Sequence, residues 1–243
     1  MQKKRTQQLQ SFCSWLGIEM QDLSLLDMAL THTSYAHEAK AMPKPQHNER
    51  IEFLGDSVLS VIVSTYMYNN FPELNEGQLT KLRAHLVCEA SLFEYAKKIR
   101  LGDFLLLGKG EELSGGRERP SLLADAFESV LGAYYLDQGF LKAQEFLLDM
   151  MKSEIDYICT HGICSDYKTR LQEYLQQDGD VDITYRLVGS SGPEHNKVFS
   201  SEVAMKGKVI GSGDGRTKKE AEQHAARNAL ERMNVPLCKN FIV

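Results

Sequence analysis

Nowhere in the chain does an apolar run approach the 18 or more residues that a membrane span needs. The opening stretch, MQKKRTQQLQSFCSWLGIEM, has basic residues but lacks the continuous apolar core of a signal peptide. Both absences predict a cytoplasmic protein with no membrane partner. Cysteine is also scarce. There are five, an odd number with no CxxC spacing, which excludes a disulfide scaffold and fits reduced thiols in a reducing compartment. Cys159, His161 and Cys164 suggest zinc, yet a fourth ligand at a sensible spacing is missing. No internal repeat or low-complexity segment is present. An excess of positive charge is lacking too: the net charge is −5, which taken alone argues against a nucleic-acid binder. Its distribution changes that picture. Residues 1–164 carry 16 Lys+Arg against 22 Asp+Glu, whereas residues 165–243 carry 12 against 11. An acidic part followed by a relatively basic one suggests a metal-dependent centre joined to a binding module.

What the chain does have is acids at helical spacing. The run QHNERIEFLGDSVL, Gln46 to Leu59, carries Glu49, Glu52 and Asp56. At i, i+3 and i+7 these fall within about a 60° wedge of a helix surface. Ile51, Leu54, Val58 and Ile62 lie opposite, but Leu59 and Val63 fall close beside the acids, so the acidic side is itself partly covered. Half-buried like charges repel unless a shifted pKa or a bound cation relieves them. Oxygen-only ligands favour magnesium, with manganese as the natural substitute. A second run, LLADAFESVLGAYYLD, puts Asp125, Glu128 and Gly132 on one face, with Leu123, Phe127, Val130 and Tyr134 on the other. Glycine in a helix costs about 1 kcal/mol relative to alanine, which is tolerable where another helix packs closely. The two acidic helices are therefore expected to face each other. The opposing reading, that these are ordinary solvated faces, is weakened by the apolar residues flanking both clusters.

From about residue 6 to 153 nearly every segment has helical periodicity, including Leu79 to Ala96 as one stretch. Breaks fall at AMPKPQH, NNFPELNEG and GKGEELSGGRERP. The last of these joins Lys109, Arg117 and Arg119 to Gly115 and Gly116; it reads either as a backbone able to approach a phosphate or as a solvated loop. After Glu154 the periodicity lapses through DYICTHGICSD. A helix over Asp166 to Gln177 follows, then alternating strands in ITYRLVGSSG, VFSSEVAM and KVIGSG, then a helix from about Thr217 to Met233 with Ala221, Ala225 and Ala229 at spacing four. The order is α-β-β-β-α, a small domain with two helices on one face of an antiparallel sheet.

These residues resemble a known family. HNERIEFLGDSVL is similar to the signature of bacterial ribonuclease III, LADAFESVLGAYYLD to its second acidic helix, and EGQLTKLRAHLV to the helix between them. DYKTRLQEYLQ, GPEH at Gly192 to His195 and KKEAEQHAA resemble a double-stranded RNA-binding domain. The likeness runs from about residue 8 to 234 in the family's order. It implies an all-α endonuclease domain over residues 1–154, a linker over 155–165 and a small α+β RNA-binding domain over 166–236. It implies a magnesium-dependent hydrolase that cuts double-stranded RNA, leaves staggered 5′-phosphate and 3′-hydroxyl ends, and processes ribosomal RNA precursors and other structured transcripts.

By residue, the resemblance implies that Glu52, Asp56, Asp125 and Glu128 hold the metal, with Glu49 and Glu76 as auxiliary acids near the subunit interface and the RNA. Glu128 and Asp56 are the expected direct ligands and catalytic acids; Glu52 and Asp125 ligate or orient bound water. The family's homodimer, formed through the helical domain, makes Phe53 a candidate for a contact across the dimer, while a core role within one subunit stays open. A-form RNA is read by shape along one side. Gln172 and Glu173 are accordingly expected at one minor groove, His195 at a second, and Lys218 and Lys219 on the phosphates between, where a helix N-terminus adds partial positive charge. Two other readings stand beside this one. A binding-only protein would have no need of four repelling carboxylates, and a di-iron or di-manganese bundle wants Glu-x-x-His on two helices, a tetrapeptide that is absent.

Overall fold

The computed structural model describes residues 3–161, 167–177, 179, 181–193 and 197–235. The chain divides between Ile155 and Asp156 into two compact units. The first is helical: α1 (Lys3–Leu16), α2 (Leu23–Ala29), α3 (Thr33–Glu38), α4 (Glu49–Asn70), α5 (Glu76–Leu86), α6 (Glu89–Lys98), α7 (Lys109–Leu113) and α8 (Pro120–Gln138), with α9 (Phe140–His161) beginning inside it. The second holds α10 (Tyr167–Leu175), β1 (Ile183–Ser191), β2 (Val198–Met205), β3 (Lys208–Gly215) and α11 (Lys218–Arg232). The expected fold class, a helical domain followed by α-β-β-β-α, is the one observed.

At the centre of the first unit, α8 is wrapped by α4, α6 and α2. It is the most enclosed helix of the unit, with Leu123, Phe127, Val130, Leu131 and Ala133 all buried. Burying a side chain of this kind is worth about 1.5–3 kcal/mol, and α8 contributes more buried side chains to the unit than any other helix in it. Local signals set the ends of its neighbours. Asn75 and Gln78 form a reciprocal capping box at the start of α5, with bonds of 3.0 and 2.9 Å. Pro120 opens α8, where its missing N–H costs nothing. The Asp137 carboxylate near the end of α8 accepts the backbone N–H groups of Gln21 and Asp22 at 2.8 and 2.7 Å, which fixes the entry to α2.

Two boundaries differ from the pattern in the sequence. The stretch Leu79 to Ala96 is two helices, because Val87 and Cys88 leave helical geometry; the Ser91 hydroxyl then donates to the His85 carbonyl at 2.6 Å and satisfies an acceptor that the helix end frees. Conversely, α9 continues past Glu154 to His161, so the lapse in periodicity does not end it. Cys164 lies outside the described residues, as do the side chains of Cys159 and His161.

In the second unit the three strands pair antiparallel in the order β1-β2-β3. One face of the sheet carries α11, and α10 packs against that helix. Gly211 and Gly215 of β3 face α11 so closely that an added Cβ would stand 2.5 Å from the Ala225 carbonyl oxygen or the Ala221 nitrogen. Glycines on the strand opposite alanines on the helix thus set the separation of the two layers, and the alanine repeat at spacing four is explained by it. Leu171, Val203, Ala226 and Leu230 fill the rest of this small core.

Candidate active site

The acids of the first unit come together because α4 and α8 cross with their backbones nearly touching. A Cβ on Gly132 would stand 2.6 Å from the carbonyl oxygen of Ile51 and 3.2 Å from the Cα of Gly55, and a Cβ on Gly55 would collide with the carbonyl of Glu128 itself. Only glycine fits at either point of the crossing. On α4, Glu52 lies one turn before this contact and Asp56 one residue after it; on α8, Asp125 and Glu128 lie on the N-terminal side. The facing helices expected from the acids and Gly132 are therefore present, and Gly55 is the partner of Gly132.

The electrostatics carry the mark of this convergence. Burial, then the charges of Asp56, Glu52 and Asp125, push the Glu128 carboxyl up to about 8. Burial, then Asp125, Glu49 and Asp56, push Glu52 up to about 7. Asp125 is also raised, by burial and by Glu89, with partial relief from His32. The charges acting on Glu52 and Glu128 are all acidic, so among the described residues neither carboxylate has a basic side chain to neutralise it. The carboxylates face one another without being drawn in to ligand distance: among the described residues no three His, Cys, Asp or Glu side chains form a ready-made metal-holding group.

Outside this central set the expected residues have varied surroundings. Glu49 opens α4 with its carboxylate 3.8 Å from His47, mostly exposed, and its charge reaches Glu52. Glu76 opens α5 and accepts the Thr80 hydroxyl at 3.2 Å; it is not among the acids acting on Glu52 or Glu128. Phe53 is 79% exposed on α4, which removes the reading that places it in the core of one subunit. Close by, a pocket of about 410 Å³ is lined by Met28, Ile51, Leu54 and Leu136, with His47 and Arg50 among its polar groups.

The glycine-rich loop is corrected by the structure. Arg117 forms a double ion pair with Glu112 at 2.6 and 2.7 Å and donates to the carbonyls of Gly102 and Leu105. Arg119 pairs with Glu111 at 2.6 Å and with the Ser114 hydroxyl. These two cations hold the loop together, and the loop carries a short helix, so it is neither a bare phosphate cradle nor unstructured. Sequence patterning also missed two groups whose charges act on Asp125, His32 and Glu89, and Glu111, whose charge acts on His32. Nothing in their local spacing announces them, because each is brought in from a different segment by tertiary packing.

In the second unit, Gln172 and Glu173 are exposed on α10, and Lys218 and Lys219 are exposed in the first turn of α11. Thr217 caps that helix by accepting the Glu220 N–H at 3.1 Å, while Glu220 accepts the Arg216 N–H at 2.7 Å. The lysines thus stand at a well-formed helix N-terminus. His195 lies outside the described residues.

With this geometry in view, comparisons with known proteins are specific. Residues 22–155 match the family model of ribonuclease-III-like domains, and residues 167–233 match the double-stranded RNA binding motif. The chain is 48% identical over 230 residues to ribonuclease 3 of Desulforamulus reducens, covering 95% of this chain and 93% of that protein. It is 50% identical over 222 residues to ribonuclease 3 of Oceanobacillus iheyensis, covering 90% and 95%. Among solved structures, the nuclease domain of ribonuclease III from Campylobacter jejuni, described with flexibility in a region involved in dimer formation, matches at a TM-score of 0.55 and 41% identity, covering 60% of this chain and 96% of that one.

Proposed function

Because this chain belongs to the ribonuclease III family, we propose that the acids meeting where α4 crosses α8 are the centre at which it cuts RNA. The protein is a double-strand-specific endoribonuclease, a hydrolase of phosphodiester bonds. Staggered ends with 5′-phosphates and 3′-hydroxyls, and a role in ribosomal RNA processing, are those of its family. The observation that carries the site assignment is the glycine-to-backbone contact of α4 and α8, which gathers Glu52, Asp56, Asp125 and Glu128 with no basic side chain among the charges acting on Glu52 and Glu128.

The family's reaction is metal-dependent, and the residues present fit a hard divalent cation: an oxygen-only donor set, partly buried, with uncompensated like charge. Magnesium is the proposed ion, with manganese as its substitute. When bound, divalent cations supply an activated water, neutralise charge developing on the phosphorus and support the leaving oxygen. Glu128 and Asp56 are the proposed direct ligands, and Glu52 and Asp125 complete the set. The helix crossing holds these groups in place, and Leu59, which falls beside the acids on α4, is fully buried.

Duplex recognition belongs to the second unit. Gln172 and Glu173 are proposed to face a minor groove of A-form RNA, and Lys218 and Lys219 the phosphates across the major groove, the helix N-terminus adding to their charge. His195 in GPEH is proposed for a second minor groove. A homodimer through the helical unit is proposed as well, with Phe53 of one copy entering the apolar pocket of Met28, Ile51, Leu54 and Leu136 on the other. Glu49 and Glu76 would then be auxiliary acids near the interface and the RNA. Among the described residues no helix is long and apolar enough to cross a membrane, and a cytoplasmic location is proposed on the family's behalf.

The test is to give the purified protein a labelled perfect duplex and the matching single strand, with magnesium or with chelator. Short duplex products that appear only with magnesium, and an intact single strand, are expected. Equal cleavage of both strands in chelator would overturn the reading.

A further inference from the structure

Strand β3 lies at the edge of its sheet, paired with β2 on one side and with no further strand on the other among the described residues. Backbone groups along such an edge go to water or invite another strand. Here three groups on and just past β3 are taken by one row of side chains on α11. Asn228 accepts the Ser212 N–H at 3.3 Å, His224 donates from Nδ1 to the Asp214 carbonyl, and Glu220 accepts the Arg216 N–H at 2.7 Å. A carbonyl only accepts, so Nδ1 of His224 carries its hydrogen in this bond. The contacts step by four residues along the helix and by two along the strand, in opposite directions. Four helical residues rise about 6 Å and two strand residues about 6.7 Å, so the two repeats nearly match and the row forms a ladder.

The rest of this contact is smooth. Gly211, Gly213 and Gly215 present bare backbone to α11, and a Cβ on Gly213 would stand 2.3 Å from the Ala225 nitrogen. The helix meets them with Ala221, Ala225 and Ala229, all buried. Larger side chains resist sliding by seating as ridges in grooves, and glycine supplies no ridge. Glycine against alanine therefore fixes how close α11 comes to β3 and does little to fix where along β3 it rests. Directional bonds do that, because a shift of the helix along the strand distorts all three together. The first turn of the same helix carries Lys218 and Lys219, both exposed, so the register of the ladder sets where these two cations stand.

We propose that Glu220, His224 and Asn228 are positioning residues for RNA binding: their bonds to the β3 edge hold α11 in the register that puts Lys218 and Lys219 on the phosphates of a duplex. The proposal rests on the reading that these lysines meet the RNA. Duplex RNA is recognised by shape, at points a fixed distance apart along one side, so cations that slide by part of a rung miss the backbone. The three side chains act on the helix and need not touch the RNA themselves.

The test is binding of a labelled perfect duplex by the full-length protein in chelator, followed by fluorescence anisotropy. His224→Leu and Asn228→Leu should each weaken binding by about 2–10-fold, the factor by which losing one bond depopulates the binding register. His224→Asn keeps an N–H near the place of Nδ1, Asn228→Asp keeps the acceptor, and both should retain most of the affinity. In a Lys218→Ala/Lys219→Ala background the Leu substitutions should cost almost nothing more, because the register then has no lysines to present. Losses of equal size in both backgrounds would overturn the proposal and leave the ladder a role in stability alone, and full affinity in the folded Leu variants would overturn it as well. Hydrogen exchange of the unaltered protein needs no variant: slow exchange is expected at the Ser212 and Arg216 amides, and exchange there at the rate of an open chain would sink the ladder. Lys218→Ala/Lys219→Ala by itself separates the proposal from the reading beneath it. Full affinity in that variant fails the RNA-contact reading first, whereas a loss there with none in the Leu variants fails only the role of the ladder.

Discussion

Replacing Gly132 by alanine tests the helix crossing with one methyl group. Its Cβ would stand 2.6 Å from the Ile51 carbonyl oxygen, whereas ordinary contact begins near 3.4 Å, so α4 and α8 must separate by about 0.8 Å. Overpacking of this kind costs about 1–3 kcal/mol, and alanine returns up to about 1 kcal/mol through its helix propensity. The net loss of about 1–2 kcal/mol lowers the melting temperature by only about 2–8 °C in a chain of this size. The chemistry is far less tolerant. A misplacement near 1 Å in a positioned site is worth on the order of 100-fold in rate. Duplex cleavage should therefore fall by about two orders of magnitude while the protein stays folded and binds duplex RNA through its second unit. Gly55→Ala, whose Cβ collides with the Glu128 backbone, should be more severe in both respects. Gly110→Ala, in open space on α7, should change neither. Initial rates on a labelled duplex, paired with thermal melts, read both effects; a folded Gly132→Ala protein cleaving at the unaltered rate would refute the claim that this crossing sets the site.

The raised carboxyls of Glu128 and Glu52 make stability depend on pH with a definite sign. Because their folded-state values of about 8 and 7 exceed the ordinary 4.5, the native protein holds more protons than the unfolded chain. This contribution is complete below about pH 4.5 and is lost as the pH rises through about 7 to 8. Melting temperature in chelator should fall across that window, and Glu128→Gln should flatten the fall; an identical slope in the variant would contradict the assignment. Replacing both Lys218 and Lys219 with glutamate should weaken duplex binding and flatten its salt dependence by up to about two phosphate contacts, while an unchanged slope in a salt titration would rule them out. Phe53→Ala should raise the dimer dissociation constant by about 30-fold, a cost near 2 kcal/mol, without lowering monomer stability, as sedimentation at several concentrations would show.

The sequence made the acids legible because helical spacing is a local property: Glu52 and Asp56 share a face by arithmetic alone, as do Asp125, Glu128 and Gly132. The role of Gly55 was not legible, since its meaning lies in the Glu128 carbonyl across the crossing. The same limit applies to Arg117 and Arg119, whose charges suggest phosphate until Glu111, Glu112 and two carbonyls are seen to hold them. Periodicity ran Leu79 to Ala96 together because it does not register a two-residue break, and it lost α9 beyond Glu154 although the backbone continues. Phe53 had two readings that only exposure separates. His32 had none, because its surroundings are assembled from α3, α4, α7 and α8.

The most direct test of the account is anomalous diffraction from crystals grown with Mn²⁺. Manganese density bounded by the carboxylates of Glu52, Asp56, Asp125 and Glu128 is the predicted result, and it should vanish in Glu128→Ala crystals along with duplex cleavage. Manganese bound only elsewhere in an active protein, with these four side chains turned away from one another, would contradict it.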